Sequence, residues 1–204
     1  VVDGVAIIPV VGVVLNRIPQ IFKAFGYCDC AEISHWLDEA IDDPAVSRIV
    51  LDIDSPGGTV SGVMELAAKI ANSPKRIDAF TGGMCCSAAY WLACGARSIT
   101  ATPSADVGSV GVYTAYTDLS LMAKLAGIAV EVFRSGKYKG AGIPGTSLSD
   151  EQKEMIQAEV DALAAMFKGA VKKSRPHTPD ELMQGQSFLG LVAADNRMVD
   201  ALAD

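Results

Sequence analysis

Histidine is scarce in this chain. Only His35 and His177 occur among 204 residues, far apart and outside any motif that would orient them toward a nucleophile. A Ser-His-Asp triad therefore has weak support. Clustered metal ligands are missing as well: Cys28 and Cys30 form one Cys-x-Cys pair, with no second pair at zinc spacing. No metal is expected. Cys28, Cys30, Cys85, Cys86 and Cys94 read instead as small buried hydrophobes in a reducing, cytoplasmic setting. No Lys/Arg stripe is present, and the net charge of −7 argues against a nucleic-acid footprint. The longest apolar runs, around 5–15 and 85–94, are too short or too interrupted to span a bilayer. No charged segment followed by an apolar one opens the chain, so no signal peptide is expected. The first residue is Val1 rather than methionine, which leaves room for an upstream segment, and membrane association is expected only through such a segment.

What is present suits a globular core: half of the residues are hydrophobic and a fifth are charged. Residues 5–14 read as a strand in which Pro9 hints at an edge or a bulge. Residues 16–26 show no clear period. Ile33, Trp36, Leu37, Ala40 and Ile41 follow the spacing of an amphipathic helix over 31–42, with His35 on its polar flank. Residues 47–53 are a β-branched run of the kind a buried parallel strand shows. A helix with Val63, Met64, Ala67, Ile70 and Ala71 on one face follows, then a strand over 76–80. Further strands are predicted at 98–101, 110–113 and 128–133, with a helix over 118–126 that Gly127 stops. Ser149 and Gln152 make a capping box for a long helix striped by Ile156, Val160, Leu163, Phe167 and Val171. Alternation of strand and helix with short loops predicts an α/β fold with a largely parallel sheet. The expected organisation is one domain over 1–204, with the long helix at about 149–173 and residues 174–204 as a packing or oligomerisation appendage.

Two strand–glycine–helix turns carry the candidate chemistry. In residues 80–91, Phe-Thr-Gly-Gly-Met-Cys-Cys-Ser-Ala-Ala-Tyr-Trp, a strand feeds small residues and then places the Ser87 hydroxyl at the mouth of an Ala-rich helix. Locally a helix cap explains Ser87 better than a nucleophile does. In residues 52–62, Ser55-Pro56-Gly57-Gly58 follows a strand end; its spacing fits neither a dinucleotide fingerprint nor a P-loop. Adjacent glycines there offer backbone N–H groups to an anion, or simply make a tight turn. Asp52 and Asp54 read as structural. A serine nucleophile without histidine needs a neutral lysine, and a solvated lysine is neutral only about one time in a few thousand at pH 7. Lowering its pKa by roughly three units takes burial worth about 4 kcal/mol, or a nearby cation. Lys139, in a Gly/Ala/Tyr context that favours burial, is the candidate base, with Lys137 as the cationic neighbour.

Four blocks resemble the signal peptide peptidase family of serine proteases, which includes the prohead (capsid maturation) proteases of tailed phages. They are residues 49–58, with Ser-Pro-Gly-Gly at the end; 86–91, Cys-Ser-Ala-Ala-Tyr-Trp; 101–112, Ala-Thr-Pro-Ser-Ala-Asp-Val-Gly-Ser-Val-Gly-Val; and 134–139, Arg-Ser-Gly-Lys-Tyr-Lys. The resemblance implies a Clp protease/crotonase-like fold, a twisted sheet flanked by helices. It implies Ser87 as nucleophile, Lys139 as general base, and Ser109 as the hydroxyl that orients the lysine. Gly58 and Ala88 would donate the oxyanion-hole N–H groups, with Gly57 shaping the turn, and Met84, Cys85 and Cys86 would wall a substrate channel. No cofactor is implied. The substrate would be a peptide or unfolded protein, namely signal peptides or phage scaffold and capsid proteins. The chain would be a homo-oligomer whose sites are completed by neighbouring protomers, with Lys139 reaching another protomer's serine; in the phage branch it would act in virion assembly. One block departs from the family: Arg197 and Met198 replace the first two positions of a Gly-Leu-Val-Asp turn, which leaves its geometry open. The alternatives are a crotonase-like acyl-CoA enzyme, which would use Gly57–Gly58 but lacks a matching glutamate, and an inactive ring-forming scaffold.

Overall fold

Residues 5–15 form two strands, because Gly12 adopts φ +86° and breaks the run into β1 (Val5–Val11) and β2 (Val13–Leu15). The computed structural model describes residues 1–203, the side chain of Lys23 aside. In chain order there follow α1 (Gln20–Lys23), β3 (Tyr27–Asp29), α2 (Cys30–Asp42), β4 (Arg48–Asp54), α3 (Val63–Ala71), β5 (Arg76–Thr81), β6 (Met84–Cys86), α4 (Ala88–Cys94), β7 (Ile99–Ala101) and β8 (Asp106–Gly108). The remainder comprises α5 (Ser120–Leu125), α6 (Asp150–Ser174), a 3-10 turn at Asp180–Leu182, β9 (Ser187–Leu189), α7 (Gly190–Asp195) and β10 (Ala201–Leu202).

The chain divides into two compact units, Val1–Gly111 with the residues from Ala164 onward, and Val112–Leu163. In the first unit an all-parallel sheet runs β1-β4-β5-β7-β10. Pro9 sits on β1 at the edge, where its missing N–H costs no ladder bond. Along β4, Ile49, Leu51 and Ile53 are buried while Asp52 and Asp54 are exposed, so the strand alternates rather than being buried on both faces. The inward residues meet Ile33 and Leu37 of α2, Val63, Leu66 and Ile70 of α3, and Ala89, Tyr90 and Leu92 of α4 in one core. Trp91 stacks on Phe167 of α6, ring centroids 4.8 Å apart and planes at 4°, which contributes about 0.5–1.5 kcal/mol beyond burial.

Asp78 ties three strands at one end of this sheet. Its Oδ2 accepts from Arg48 Nε and Arg76 Nε at 2.7 Å each, and its Oδ1 accepts from Ser98 Oγ at 2.6 Å. Burial alone would raise this carboxyl's pKa, but the bonds from Arg76, Ser98 and Arg48 hold it below the usual range. At the C-terminal end, Arg197 occupies the left-handed region at φ +58°. The turn still closes, with Arg197 N–H donating to Ala194 O at 3.0 Å and Met198 N–H to Ala193 O at 2.8 Å. The open question about this turn is thus answered: arginine is held in a conformation that glycine adopts freely.

In the second unit the predicted capping box is present: Ser149 N–H donates to Gln152 Oε1 at 3.0 Å, and Gln152 N–H donates to Ser149 Oγ at 3.3 Å. Gly127, at φ +72°, ends α5 as expected. Tyr116 donates its hydroxyl to the Thr146 carbonyl, and Ser147 Oγ bonds Ser120 Oγ at 2.9 Å. Residues 110–113 and 128–133, predicted as strands, are not: among the described residues neither has a ladder partner, and a strand exists only as part of a pair. The strand near the former lies just upstream, at β8.

Arg197→Gly is expected to raise the free energy of unfolding by about 0.5–1 kcal/mol in a denaturant titration, as relief of the left-handed strain exceeds glycine's added chain entropy. Asp78→Asn is expected to lower it by about 2 kcal/mol at pH 7. Because the folded carboxyl titrates below its unfolded value, the ionised form's contribution is complete above about pH 4 and lost as pH falls through the folded value. The gap between the two proteins should therefore narrow on acidification, as followed by thermal melts from pH 7 to pH 3.

Candidate active site

Ser55 begins the site. It is buried, and its Oγ accepts the Gly57 N–H at 3.1 Å, which folds the Ser-Pro-Gly-Gly turn back on itself. Its main chain joins β6, with Ser55 N–H donating to Met84 O at 2.7 Å and Cys86 N–H donating to Ser55 O at 3.1 Å. The turn is therefore fastened to the strand that leads into Ser87. On its other side Val14 N–H donates to Gly57 O at 2.8 Å and Thr59 N–H donates to Val14 O at 2.9 Å. Gly58 lies between those two bonds in a parallel bridge to Val14, so its own N–H points away from the ladder. A Cβ on Gly58 would collide with the Val14 carbonyl, so only glycine fits.

Ser87 follows β6 and precedes the first residue of α4. Its backbone is at φ +53° and ψ −124°, a conformation a serine adopts at a cost of about 1–3 kcal/mol. Its N–H donates to Gly108 O at 2.8 Å, and its carbonyl accepts from Trp91 N–H at 3.0 Å. The side chain makes no capping hydrogen bond, so the helix-cap account of Ser87 fails. Gly57, at φ +95°, packs directly beneath: a Cβ there would stand 2.6 Å from Ser87 Cβ and 2.8 Å from Ala88 N. Ala88 begins α4, so its N–H has no carbonyl partner within the helix.

Ser109 is one residue beyond the carbonyl that holds Ser87. It is half-buried, takes φ +52°, and its N–H donates to Gln186 O at 2.8 Å. The structure thus gathers Ser87, Ala88, Gly57, Gly58 and Ser109 around one turn in the first unit. Lys139 belongs to the second unit, where it is exposed on a turn closed by its N–H bond to Gly136 O at 3.2 Å; the burial expected from its Gly/Ala/Tyr context does not occur within the single chain. Lys137 lies over the Tyr138 ring at 4.7 Å, and the hydroxyl of Tyr138 together with Glu151 pushes its pKa up, so it remains a cation.

Three assignments need correction or addition. Cys85 is fully buried in the core and Cys86 nearly so, with Cys86 Sγ 3.5 Å from Asp106 O, so neither forms a channel wall. Burial raises both thiols, Cys86 to about 12 and Cys85 well above its ordinary value, which makes them inert hydrophobes rather than oxidisable groups. Ser55 and Val14, unassigned in the sequence, hold the glycine turn in place. The serine was legible as part of Ser-Pro-Gly-Gly, whereas Val14 acts through its main chain and leaves no signal. His35 is a surface residue 3.5 Å from Glu39, and among the described residues no group of three or more His, Cys, Asp or Glu side chains is gathered to hold a metal ion.

A chain of the ClpP protease catalytic domain from Plasmodium falciparum superposes with a TM-score of 0.59 at 12% identity, covering 97% of this chain and 84% of that one. The fold is therefore of the Clp protease type, as expected. Capsid assembly protease C of Escherichia phage lambda is 33% identical over 82% of this chain and 38% of its own length. Head-tail preconnector protein GP5 of Enterobacteria phage P21 is 30% identical over 96% of this chain and 41% of its own. Protease 4 of Salmonella typhi is 32% identical over 79% of this chain and 27% of its own. The chain thus spans about two fifths or less of the length of these relatives. The model of peptidase family S49 matches residues 69–204, which include the Ser87 turn, Ser109 and the Lys139 turn. On that match and these identities, the chain belongs to peptidase family S49.

Proposed function

We propose that the chain is a serine endopeptidase that works through an acyl-enzyme on Ser87. The observation that carries this reading is the backbone of Ser87, held in a strained turn against Gly57 while its hydroxyl caps nothing. Strain of this kind persists where the surrounding structure over-determines it, commonly at catalytic centres. In the proposed reaction, neutral Lys139 takes the proton from Ser87 Oγ as that oxygen attacks the peptide carbonyl. The N–H groups of Gly58 and Ala88 receive the developing oxyanion, a contribution of about 3 kcal/mol for each donor. The lysine ammonium then protonates the leaving amine; the same lysine next deprotonates a water molecule that attacks the acyl carbonyl, and its ammonium returns the proton to Ser87 Oγ as the acyl–oxygen bond breaks. Ser109 accepts a hydrogen bond from the lysine and orients it.

Lys139 is exposed in the single chain, and an exposed lysine is a poor base at neutral pH. Its burial in the active form is attributed to assembly. The second unit supports this: Tyr113, Leu121, Leu125 and Phe133 are largely exposed apolar residues, with Phe133 92% accessible, and residues 128–133 run without a strand partner among the described residues. Such surfaces are commonly covered by another chain. We therefore assign this unit to contacts between protomers, with one protomer's Lys139 serving another's Ser87. The phage relatives, one of them named a capsid assembly protease, favour a phage scaffold or capsid protein as substrate over signal peptides. Among the described residues no helix is long and apolar enough to cross a membrane.

Ser87→Ala and Lys139→Ala should each reduce cleavage of an unfolded protein by at least about 10³-fold. Cleavage equal to the natural chain by either variant would overturn the dyad. Mixing the two inactive variants should restore part of the activity if sites are shared, whereas a confirmed mixed oligomer that stays inactive would confine each site to one protomer. Gly57→Ala should displace Ser87 and lower kcat by about 10²-fold with KM little changed, measured beside a thermal melt that reports any loss of folding.

A further inference from the structure

Away from Ser87, the first unit contains a groove of about 570 Å³ whose wall includes the last residues of three helices, Ala71 of α3, Cys94 of α4 and Ser174 of α6. That volume falls within the roughly 300–1,000 Å³ of small-molecule sites. Its apolar lining is formed by Met64, Ile70, Trp91 and Met166, with Trp91 fixed from behind by its stack on Phe167. Nothing in the peptidase chemistry uses this space.

Its charge is unlike the rest of the molecule. Lysine and arginine make up 17 of 204 residues in a chain of net charge −7, yet five of the twenty residues lining the groove are cations and none is a carboxylate. Three of the five are engaged. Lys75 Nζ donates to the carbonyls of Ala40 and Asp43, Arg76 pairs with Asp78, and Arg175 pairs with Asp200 at 2.6 Å. Arg97 and Lys173 are exposed and have no carboxylate partner among the described residues. Helix C-termini attract cations, which offers a purely structural account of them. The magnitudes do not close on that account. Five cations against the two paired carboxylates leave a surplus of three, while three helix ends offset at most about one and a half charges. The groove combines apolar side chains with an excess of cations in one lining.

We propose that this groove binds an alkyl carboxylate, a fatty-acid-like chain whose tail lies against Met64, Ile70, Trp91 and Met166 and whose carboxylate is taken by Arg97 and Lys173. Burial of the tail supplies the affinity, about fourfold per methylene removed from water, and the two cations supply the selection for an anionic head.

The test uses decanoate, with 1-decanol as a neutral probe of equal chain length. The chain has two tryptophans, so Trp36→Phe leaves Trp91 as the sole reporter in the groove. Decanoate should change Trp91 emission saturably, and calorimetry on the natural chain should give the same affinity, which guards against a poorly folded variant. Arg97→Glu with Lys173→Glu should weaken decanoate at least about tenfold, close to 1.4 kcal/mol, and 1-decanol should bind the natural chain more weakly by a similar factor. The absence of saturable decanoate binding would overturn the proposal, as would equal affinity for 1-decanol or unchanged affinity in the charge-reversed variant.

Discussion

The contact between Gly57 and Ser87 is the constraint on which the site depends. No side chain fits between the Ser-Pro-Gly-Gly turn and the start of α4, so the two backbones meet directly. This approach requires the turn to be anchored from both sides. Ser55 fastens it to β6, and Val14 fastens it to β2, each through paired main-chain hydrogen bonds. The strain at Ser87 is sustained by those bonds together with the Gly108 carbonyl that receives the Ser87 N–H. Strand pairing thus has a local consequence here: it fixes the strained backbone that carries the Ser87 hydroxyl.

The helix behind Ser87 is held as firmly as the turn before it. All seven residues of α4 are buried, Trp91 is clamped by Phe167, and the Tyr90 hydroxyl donates to Met198 O at 2.7 Å. Met198 is fixed in turn by the tight turn at Arg197, a residue that bears left-handed strain where glycine would bear none. The C-terminal segment therefore helps to hold Ser87 in place, reaching it through the far end of the helix. Residues 174–203 also support α4 and pair with the central sheet, through the Tyr90–Met198 bond and the β10–β7 ladder.

The two units differ in what they satisfy internally. The first buries its apolar residues in one core and pairs its buried carboxylate, Asp78, with two arginines and a serine. The second closes its own turns and caps its helix, yet leaves aromatic and aliphatic side chains in water. Exposed apolar surface of this kind is common at protein–protein contacts. The proposed base, Lys139, stands in that segment, which is why the proposed chemistry is tied to proposed contacts between protomers.

Much of this was legible in one dimension. Helical spacing located α2 and α3, Ser149 and Gln152 marked the start of α6, Gly127 marked the end of α5, and Pro9 marked the sheet edge, because each reports on bonds made within a few residues. The Ser-Pro-Gly-Gly and Cys-Ser-Ala-Ala blocks marked the two turns that the structure brings together at the candidate site. Local periodicity failed at 110–113 and 128–133, where strand-like sequence finds no strand partner among the described residues, while Cys85 and Cys86 are the buried hydrophobes their residue type suggested rather than the channel walls the resemblance implied. Taken alone, the sequence also made Ser87 a helix cap, since Ser before an Ala-rich helix commonly is one. The sequence by itself determined the alternation of strand and helix through the first half of the chain, the glycine turns and the residue types that chemistry needs. Only the tertiary structure decided that the Ser87 hydroxyl is free of the helix, because that follows from Gly57, Val14 and Gly108, residues far apart in the chain that meet through main-chain contacts no side-chain pattern records.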